Sequence, residues 1–214
     1  MTRLLSYLYP VTRKVESDHS GILEITWYNG KKHLNTKNAN YSYGALQKVL
    51  KFGLTKMEIS DMGSVLLLGL GGGSVIETLR NDFDYKKSVV AVDIDEKIID
   101  IARNEFNLKD DKHLEIHCRD AFAFMQNNGR KFDLIIIDLF IDTEVPTPFL
   151  TIPFWENVLN AASGKGNILF NATLGQTKSR ALTEVIDYLK SHIYQVEIYE
   201  KVNGINTVII AKGL

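Results

Sequence analysis

Four glycines set close together and three aspartates, each at or just past the end of an apolar run, are the residues of this 214-residue chain whose types and spacing suit chemistry. The glycines lie in Gly69-Leu70-Gly71-Gly72-Gly73, directly after the run Val65 to Leu68. Glycine has no Cβ and tolerates φ > 0, so a turn made of it lets a ligand approach the main chain closely. The acids are Asp93 after "SVVAV", Asp120 in "CRDAFAFM" and Asp138 after "FDLIII". A carboxylate at the first of these positions can accept both hydroxyls of a ribose. One at the second can accept from the exocyclic amine of an adenine while the Ala121 amide donates to the ring. Asp138 then stands beside the reactive part of any ligand laid along this edge. Taken singly, each acid is equally well a helix cap or a solvated turn residue. In register with the glycine turn, the set points to a nucleoside.

Such a set needs strand ends to carry it, and the chain supplies them. From Val65 onward, short apolar runs ("SVLLLG", "SVVAVD", "HLEIHC", "FDLIIID", "GNILFNA") alternate with segments of helical periodicity such as "DEKIIDIARNEF" and "TKSRALTEVIDYLKSH". Continuous apolar strands covered on both faces predict a doubly wound, mostly parallel α/β sheet. In such a sheet ligands sit beyond the carboxyl ends of the strands, where the strand order reverses. The end of the chain differs, since "YQVEIYEKVNGINTVIIAKG" reads as two strands joined at Asn203-Gly204. Ahead of the main body, "GILEITWYNGKKHLN" alternates apolar and polar residues about Asn29-Gly30, the signature of a β-hairpin. We therefore divide the chain into a hairpin extension over 1–43 and a Rossmann-like domain over 44–214, joined through a helix in "YSYGALQKVLKFGL".

The spacing of Gly69, Gly71 and Gly73, with Ser74 at the sixth place, resembles the first motif of S-adenosylmethionine-dependent methyltransferases more than a dinucleotide fingerprint. Nearly the whole chain is similar to the spermidine synthase-like, or polyamine aminopropyltransferase-like, branch of that superfamily. The likeness is carried in order by the hairpin, "NYSYGALQKVL", "VLLLGLGGGSVIETL", "VVAVDIDEKIIDIAR", "RDAFAFM" and "FDLIIIDLF". It implies a seven-stranded class I methyltransferase fold ending in an antiparallel strand pair. It also implies S-adenosylmethionine, or its decarboxylated form, as cofactor along Gly69, Leu70, Gly71, Gly72, Gly73, Asp93, Ile94, Asp120, Ala121 and Asp138. Asp138 and Asp142 become the candidates for orienting or deprotonating an acceptor, and Tyr43 a candidate wall of its pocket.

Three positions depart from the aminopropyltransferase pattern. Gly72 stands where an acid is usual, Tyr43 is followed by Gly44-Ala45 rather than Gln or His-Glu, and "DLFIDTEVP" matches the gate-loop acids only at Asp138, with Asp142 one position late. A loop acid would attract the ammonium of decarboxylated S-adenosylmethionine and repel the carboxylate of the intact molecule. Gly72 does neither, so an intact cofactor is admissible, its carboxylate expected on the turn's amides and the helix start near Ser74. The expected function is methyl transfer to a small-molecule acceptor, an amine among the candidates. The alternatives are aminopropyl transfer and a non-catalytic nucleoside-binding or assembly role.

Composition narrows the rest. A net charge of −1 with interspersed signs gives no field for nucleic acid or an anionic membrane, and no run approaches a bilayer span, so a cytoplasmic protein is expected. Cys118 is alone, which excludes an internal disulfide, and as a free cysteine it is expected to be buried. The five histidines have no ligand spacing, so no metal site is expected. Pro146, Pro148 and Pro153 bar a regular helix through the first part of "DLFIDTEVPTPFLTIPFW", which should cross the cleft as a lid before a helix near Trp155. Trp27 and Tyr28 of the hairpin, expected to be exposed apolar residues, would suit a homodimer, as the resemblance also implies.

Overall fold

The computed structural model describes residues 2–38, 40–109, 112–174, 179–192 and 194–214. After a single helical turn α1 (Thr2–Leu5), strands β1 (Val11–Ser17), β2 (Gly21–Tyr28), β3 (Lys31–Asn35) and β4 (Asn40–Ser42) pair in sequence order as a four-stranded antiparallel sheet. Its centre is the expected hairpin, where Asn29 and Gly30 both take positive φ, 48° and 73°. The N-terminal element is thus wider than a hairpin, with a strand added on either side of it.

Helix α2 (Ala45–Leu54) leads into the main body, formed by β5 (Ser64–Leu68), α3 (Ser74–Asp82), β6 (Ser88–Asp93), α4 (Glu96–Glu105), β7 (Leu114–Cys118), α5 (Ala121–Gln126) and β8 (Phe132–Ile137). Helix α6 (Ile152–Ala161), β9 (Ala162–Leu174), α7 (Arg180–Ser191), β10 (Tyr194–Val202) and β11 (Asn206–Gly213) complete it. The seven strands lie in the order β10-β11-β9-β8-β5-β6-β7. Strands β5 to β9 run parallel, whereas β11 is antiparallel to both β9 and β10. The order reverses at β5, which has β6 on one side and β8 on the other.

Alternation along the central strands sends side chains to two separate cores. Leu66 and Leu68 of β5 join Phe154, Trp155 and Val158 of α6 and Val185 of α7 on one face. Val65 and Leu67 join residues of α2, α3 and α4 on the other. A third cluster docks the small sheet onto the large one: Leu23, Ile25 and Leu34 cover Ile98 and Ile101 of α4. Each such buried side chain contributes about 1.5–3 kcal/mol, enough to fix the two sheets together. Glu105 at the end of α4 adds ion pairs to Arg13 (2.5 Å) and Lys32 (2.9 Å).

Two expectations about exposure need correction. Cys118 is exposed, because it ends the edge strand β7; its thiol lies 3.8 Å from the Ile94 carbonyl. Trp27 is half-buried beneath the ammonium of Lys32, 4.9 Å from its ring, while Tyr28 is exposed as expected. Among the described residues, no helix is long and apolar enough to cross a membrane.

Candidate active site

Where β5, β6 and β8 end, backbone hydrogen bonds lash the exit loops together. The Gly69 amide donates to the Val92 carbonyl (2.9 Å) and the Asp138 amide to the Leu68 carbonyl (2.8 Å). Gly69 has φ 93°, and a Cβ there would run into the Asp138 carbonyl. Only glycine fits this crossing.

Four of the five amides of the glycine turn, those of Gly69, Leu70, Gly71 and Gly73, donate to acceptors within the chain. Asp93 Oδ2 accepts from the amides of Leu70 (3.0 Å) and Gly71 (3.2 Å), and Oδ1 accepts from the amide of Asp95 (3.0 Å). The Gly73 amide donates to the Leu70 carbonyl, and the Ser74 amide at the start of α3 donates to Ser42 Oγ (3.4 Å). Ser42 Oγ also lies 2.9 Å from Ser74 Oγ. At the amides of Leu70, Gly71 and Ser74 the chain's own carboxylate and hydroxyl stand where a ligand carboxylate was expected. Burial pushes the Asp93 carboxyl up to about 6 against the three amides that pull it down.

In front of the turn opens a cavity of about 530 Å³, within the range of small-molecule sites. Gly69, Gly71, Asp93, Ile94, Asp120, Ala121, Asp138 and Asp142 line it. The other residues singled out from sequence do not. Leu70 is buried in the core; Gly72 packs against Ser42 and Tyr43, and Gly73 against Leu108. Tyr43, at φ 68°, stacks on Phe106 (ring centroids 4.6 Å apart) and hydrogen-bonds Glu77, and burial raises its hydroxyl pKa. The tyrosine that reaches the cavity is Tyr41, two residues earlier, whose hydroxyl donates to the Phe140 carbonyl (2.9 Å). Burial pushes that phenol up to about 12.

Asp120 accepts from the Ala123 amide (2.8 Å), capping α5 while it lines the cavity, so the cap and site readings coincide. Ile94 presents 45% of its surface, an apolar side chain held open beside Asp93. Asp138 opens on the cavity beside Asn171, whose Nδ2 donates to its Oδ1 (2.9 Å). Burial pushes the Asp138 carboxyl up to about 6, with the nearby charge of Asp93 acting in the same direction and the Asn171 bond opposing.

The lid and the small sheet close the cavity from outside. Asp142, at φ 55° in the turn bridged by Ile141 and Glu144, accepts from Thr36 Oγ1 (3.0 Å) and Asn38 Nδ2 (2.8 Å). Pro146, Pro148 and Phe149 follow along the wall, and Phe149 meets the buried Phe154 edge-on at 5.2 Å. On the opposite rim, His19 and Ser20 come from the β1–β2 turn, which Asp95 holds through Ser17 and Ser20. Sequence reasoning missed Tyr41, His19, Ser20 and Asn171. Only Asn171 left a signal, as the lone polar residue interrupting "ILFNA".

Residues 50–203 match the family model described as the spermine/spermidine synthase domain. Among curated proteins, the chain is 30% identical over 155 residues to the eEF1A lysine and N-terminal methyltransferase of Xenopus laevis, covering 66% of this chain and 22% of that protein. It is 33% identical over 119 residues to the polyamine aminopropyltransferase of Saccharolobus solfataricus, covering 51% of this chain and 38% of that one. The chain thus spans well under half the length of either relative. Among solved structures, human methyltransferase-like protein 13 in complex with SAH superposes with a TM-score of 0.64 at 18% identity, over 79% of this chain and 82% of that one. A probable spermidine synthase from Corynebacterium glutamicum gives 0.67 at 15% identity, over 95% and 77%. These two likenesses establish the shared fold, a class I methyltransferase-type sheet with an N-terminal antiparallel extension. With the family model matched across most of its length, the chain belongs to the spermine/spermidine synthase family.

Proposed function

We propose that this chain is an S-adenosylmethionine-dependent transferase acting on a small amine, with methyl transfer as its reaction. The observation that carries the reading is the charge of the cavity. Asp93, Asp120, Asp138 and Asp142 line it, and among the described residues no lysine or arginine does. Such a wall, in a space of about 530 Å³, favours cationic occupants, and both a sulfonium and an amine qualify.

The residues present fit a nucleoside. Gly69 and Gly71 leave room beside the strand ends, Ile94 and Phe122 offer apolar surface for a base, and Asp93 and Asp120 retain lone pairs for hydroxyl and amine donors. When bound, S-adenosylmethionine supplies a carbon already activated by the adjoining sulfonium. What remains for the protein is to align the acceptor, worth up to about 7–11 kcal/mol, and to take a proton from it. Asp138 suits the second task. With its carboxyl near 6 it is ionised at neutral pH, yet it is a stronger base than an exposed aspartate. Asp142, with one hydrogen bond to each carboxylate oxygen, holds the lid over the acceptor side.

The curated match to a methyltransferase, over 155 residues, supports methyl over aminopropyl transfer. The missing loop acid at Gly72 does not bear on the choice, because a side chain there would meet Ser42 and Tyr43 rather than the cavity. One observation favours aminopropyl transfer instead: three of the amides expected to receive the carboxylate of the intact molecule, those of Leu70, Gly71 and Ser74, are occupied by Asp93 and Ser42. Calorimetric titration with the intact and the decarboxylated nucleoside, followed by mass spectrometry of products formed with amines, tests the choice. Tighter binding of the decarboxylated form with release of methylthioadenosine would establish aminopropyl transfer. Binding without any product would leave a nucleoside-binding role.

A further inference from the structure

Three polar side chains, one opening on the cavity and two buried behind it, cross three neighbouring strands. Asp138 follows the end of β8, Asn171 sits on β9, and Asn206 opens β11. Asn206 Nδ2 donates to Asn171 Oδ1 (3.1 Å), and Asn171 Nδ2 donates to Asp138 Oδ1 (2.9 Å). Asn171 is 0% and Asn206 4% exposed, so neither is there for solvation, and burying two amides in a sheet interior is costly unless both ends are bonded. The ladder between β9 and β11 shifts register beside them: Val208 pairs with Asn171, whereas Thr207 pairs with Thr173. The extra residue is Ala172, and a bulge of this kind re-aims the side chains that flank it.

An amide is asymmetric, with a donor end and an acceptor end. An ionised Asp138 can only accept, so Asn171 must turn its NH₂ toward it. Its carbonyl then faces Asn206, which meets it with a donor. The geometry points to Asn206 and Asn171 as positioning residues that hold Asp138 in its ionised form, aimed into the cavity; this rests on reading Asp138 as the proton acceptor. Reversing the line would put the Asn171 carbonyl against the carboxylate, which is tolerable only when Asp138 carries a proton. Asn206 thereby sets the basicity of a group two strands away. The other ionisable side chains facing the cavity are Asp93, Asp120, Asp142, Tyr41 and His19, and Asn206 hydrogen-bonds none of them.

The test is titration of the Asp138 carboxyl carbon by NMR in the full chain, its signal assigned by its loss in Asp138→Asn. Asn206→Asp offers Asn171 an acceptor in place of a donor and favours the reversed amide. The Asp138 midpoint should rise by about one pH unit or more, since a bond to its charged form is exchanged for one to its neutral form. The acid limb of the transfer rate should move with it, while affinity for S-adenosylhomocysteine stays within twofold. Asn171→Leu, which removes the amide altogether, should raise the midpoint too and decides the matter if Asn206→Asp does not fold. An Asp138 midpoint unchanged in the folded variant would overturn the proposal. The carboxyl titration reads the relay even if no amine is ever turned over, so failure of the proposed reaction and failure of the relay are separate results.

Discussion

The two sides of the cavity are built to different standards. On the strand side, Asp93 is locked by three backbone amides, Asp138 by a buried amide line, and the connecting loops by strand-end hydrogen bonds of 2.8–2.9 Å. On the lid side, residues 139–151 form one two-residue bridge and a short 3₁₀ turn, fastened to the small sheet through Asp142 and the Tyr41 hydroxyl. A rigid half suits a ligand that the fold always meets in one pose. A lightly fastened half suits a partner that must enter and leave, and weakly held segments are where such motion is found.

The sharpest way to break that contrast is Asp138→Asn. If Asp138 is the proton acceptor, the transfer rate should fall by about 10²–10⁴-fold with nucleoside affinity little changed. Wild-type activity should also decline as pH falls through about 6, where this carboxylate protonates. Stability should move the other way. The carboxyl titrates near 6 in the fold against a reference value of 3.8, so the native state binds the proton more tightly than the unfolded chain. The stability it contributes is present below 3.8 and is lost as pH rises through about 6. At pH 7 the buried charge costs at most about 3 kcal/mol, less for its opening on the cavity. The Asp138→Asn variant should therefore melt higher than wild type at pH 7 and level with it near pH 4, as thermal scans at both values would show.

Asp93→Ala addresses the rigid half directly. It removes the acceptor for the Leu70, Gly71 and Asp95 amides as well as any ribose contact. Charged hydrogen bonds of this kind are worth about 1.5–3 kcal/mol, so affinity for S-adenosylhomocysteine should drop about 10–150-fold in calorimetry. Loss of affinity without loss of fold, checked by circular dichroism, keeps the two effects apart. Asp142→Ala addresses the loose half. Its two hydrogen bonds are near the surface and together contribute about 1 kcal/mol, so KM for the amine should rise several-fold with kcat nearly unchanged. An equal fall in kcat would mean that Asp142 takes part in the chemistry.

The rigid half was also the legible half. Parallel strands are continuous apolar runs, and the residues just past them must line the ligand edge, so Gly69, Asp93, Asp120 and Asp138 could be placed by counting. What the count could not supply was orientation. Asp93 turns back into its own loop, and the residue facing the cavity from β4 is Tyr41 rather than Tyr43, because positive φ at Tyr43 and Gly44 swings the chain away after the strand. The partners of Asp142 lie more than a hundred residues earlier, and nothing local in "IDTEVP" names Thr36 or Asn38. Asn206 was invisible for a similar reason: its role follows from strand order, which places β11 beside β9.

Gly72 gives the smallest effect and the finest distinction between the halves. In sequence it marks a missing acid, as though restoring the acid would restore selection of a decarboxylated cofactor. In the fold, a Cβ at this position would lie 3.0 Å from Ser42 Cβ and 3.2 Å from a Tyr43 ring carbon, on the side of the turn away from the cavity. Gly72→Asp should therefore cost stability, about 1–3 kcal/mol for an overpacked site, while changing the ratio of affinities for intact and decarboxylated nucleoside by less than about threefold. Tm and paired calorimetric titrations measure the two effects separately. A tenfold swing toward the decarboxylated form would mean that the turn can rotate to present residue 72 to the ligand, and the strand side would then be no more rigid than the lid.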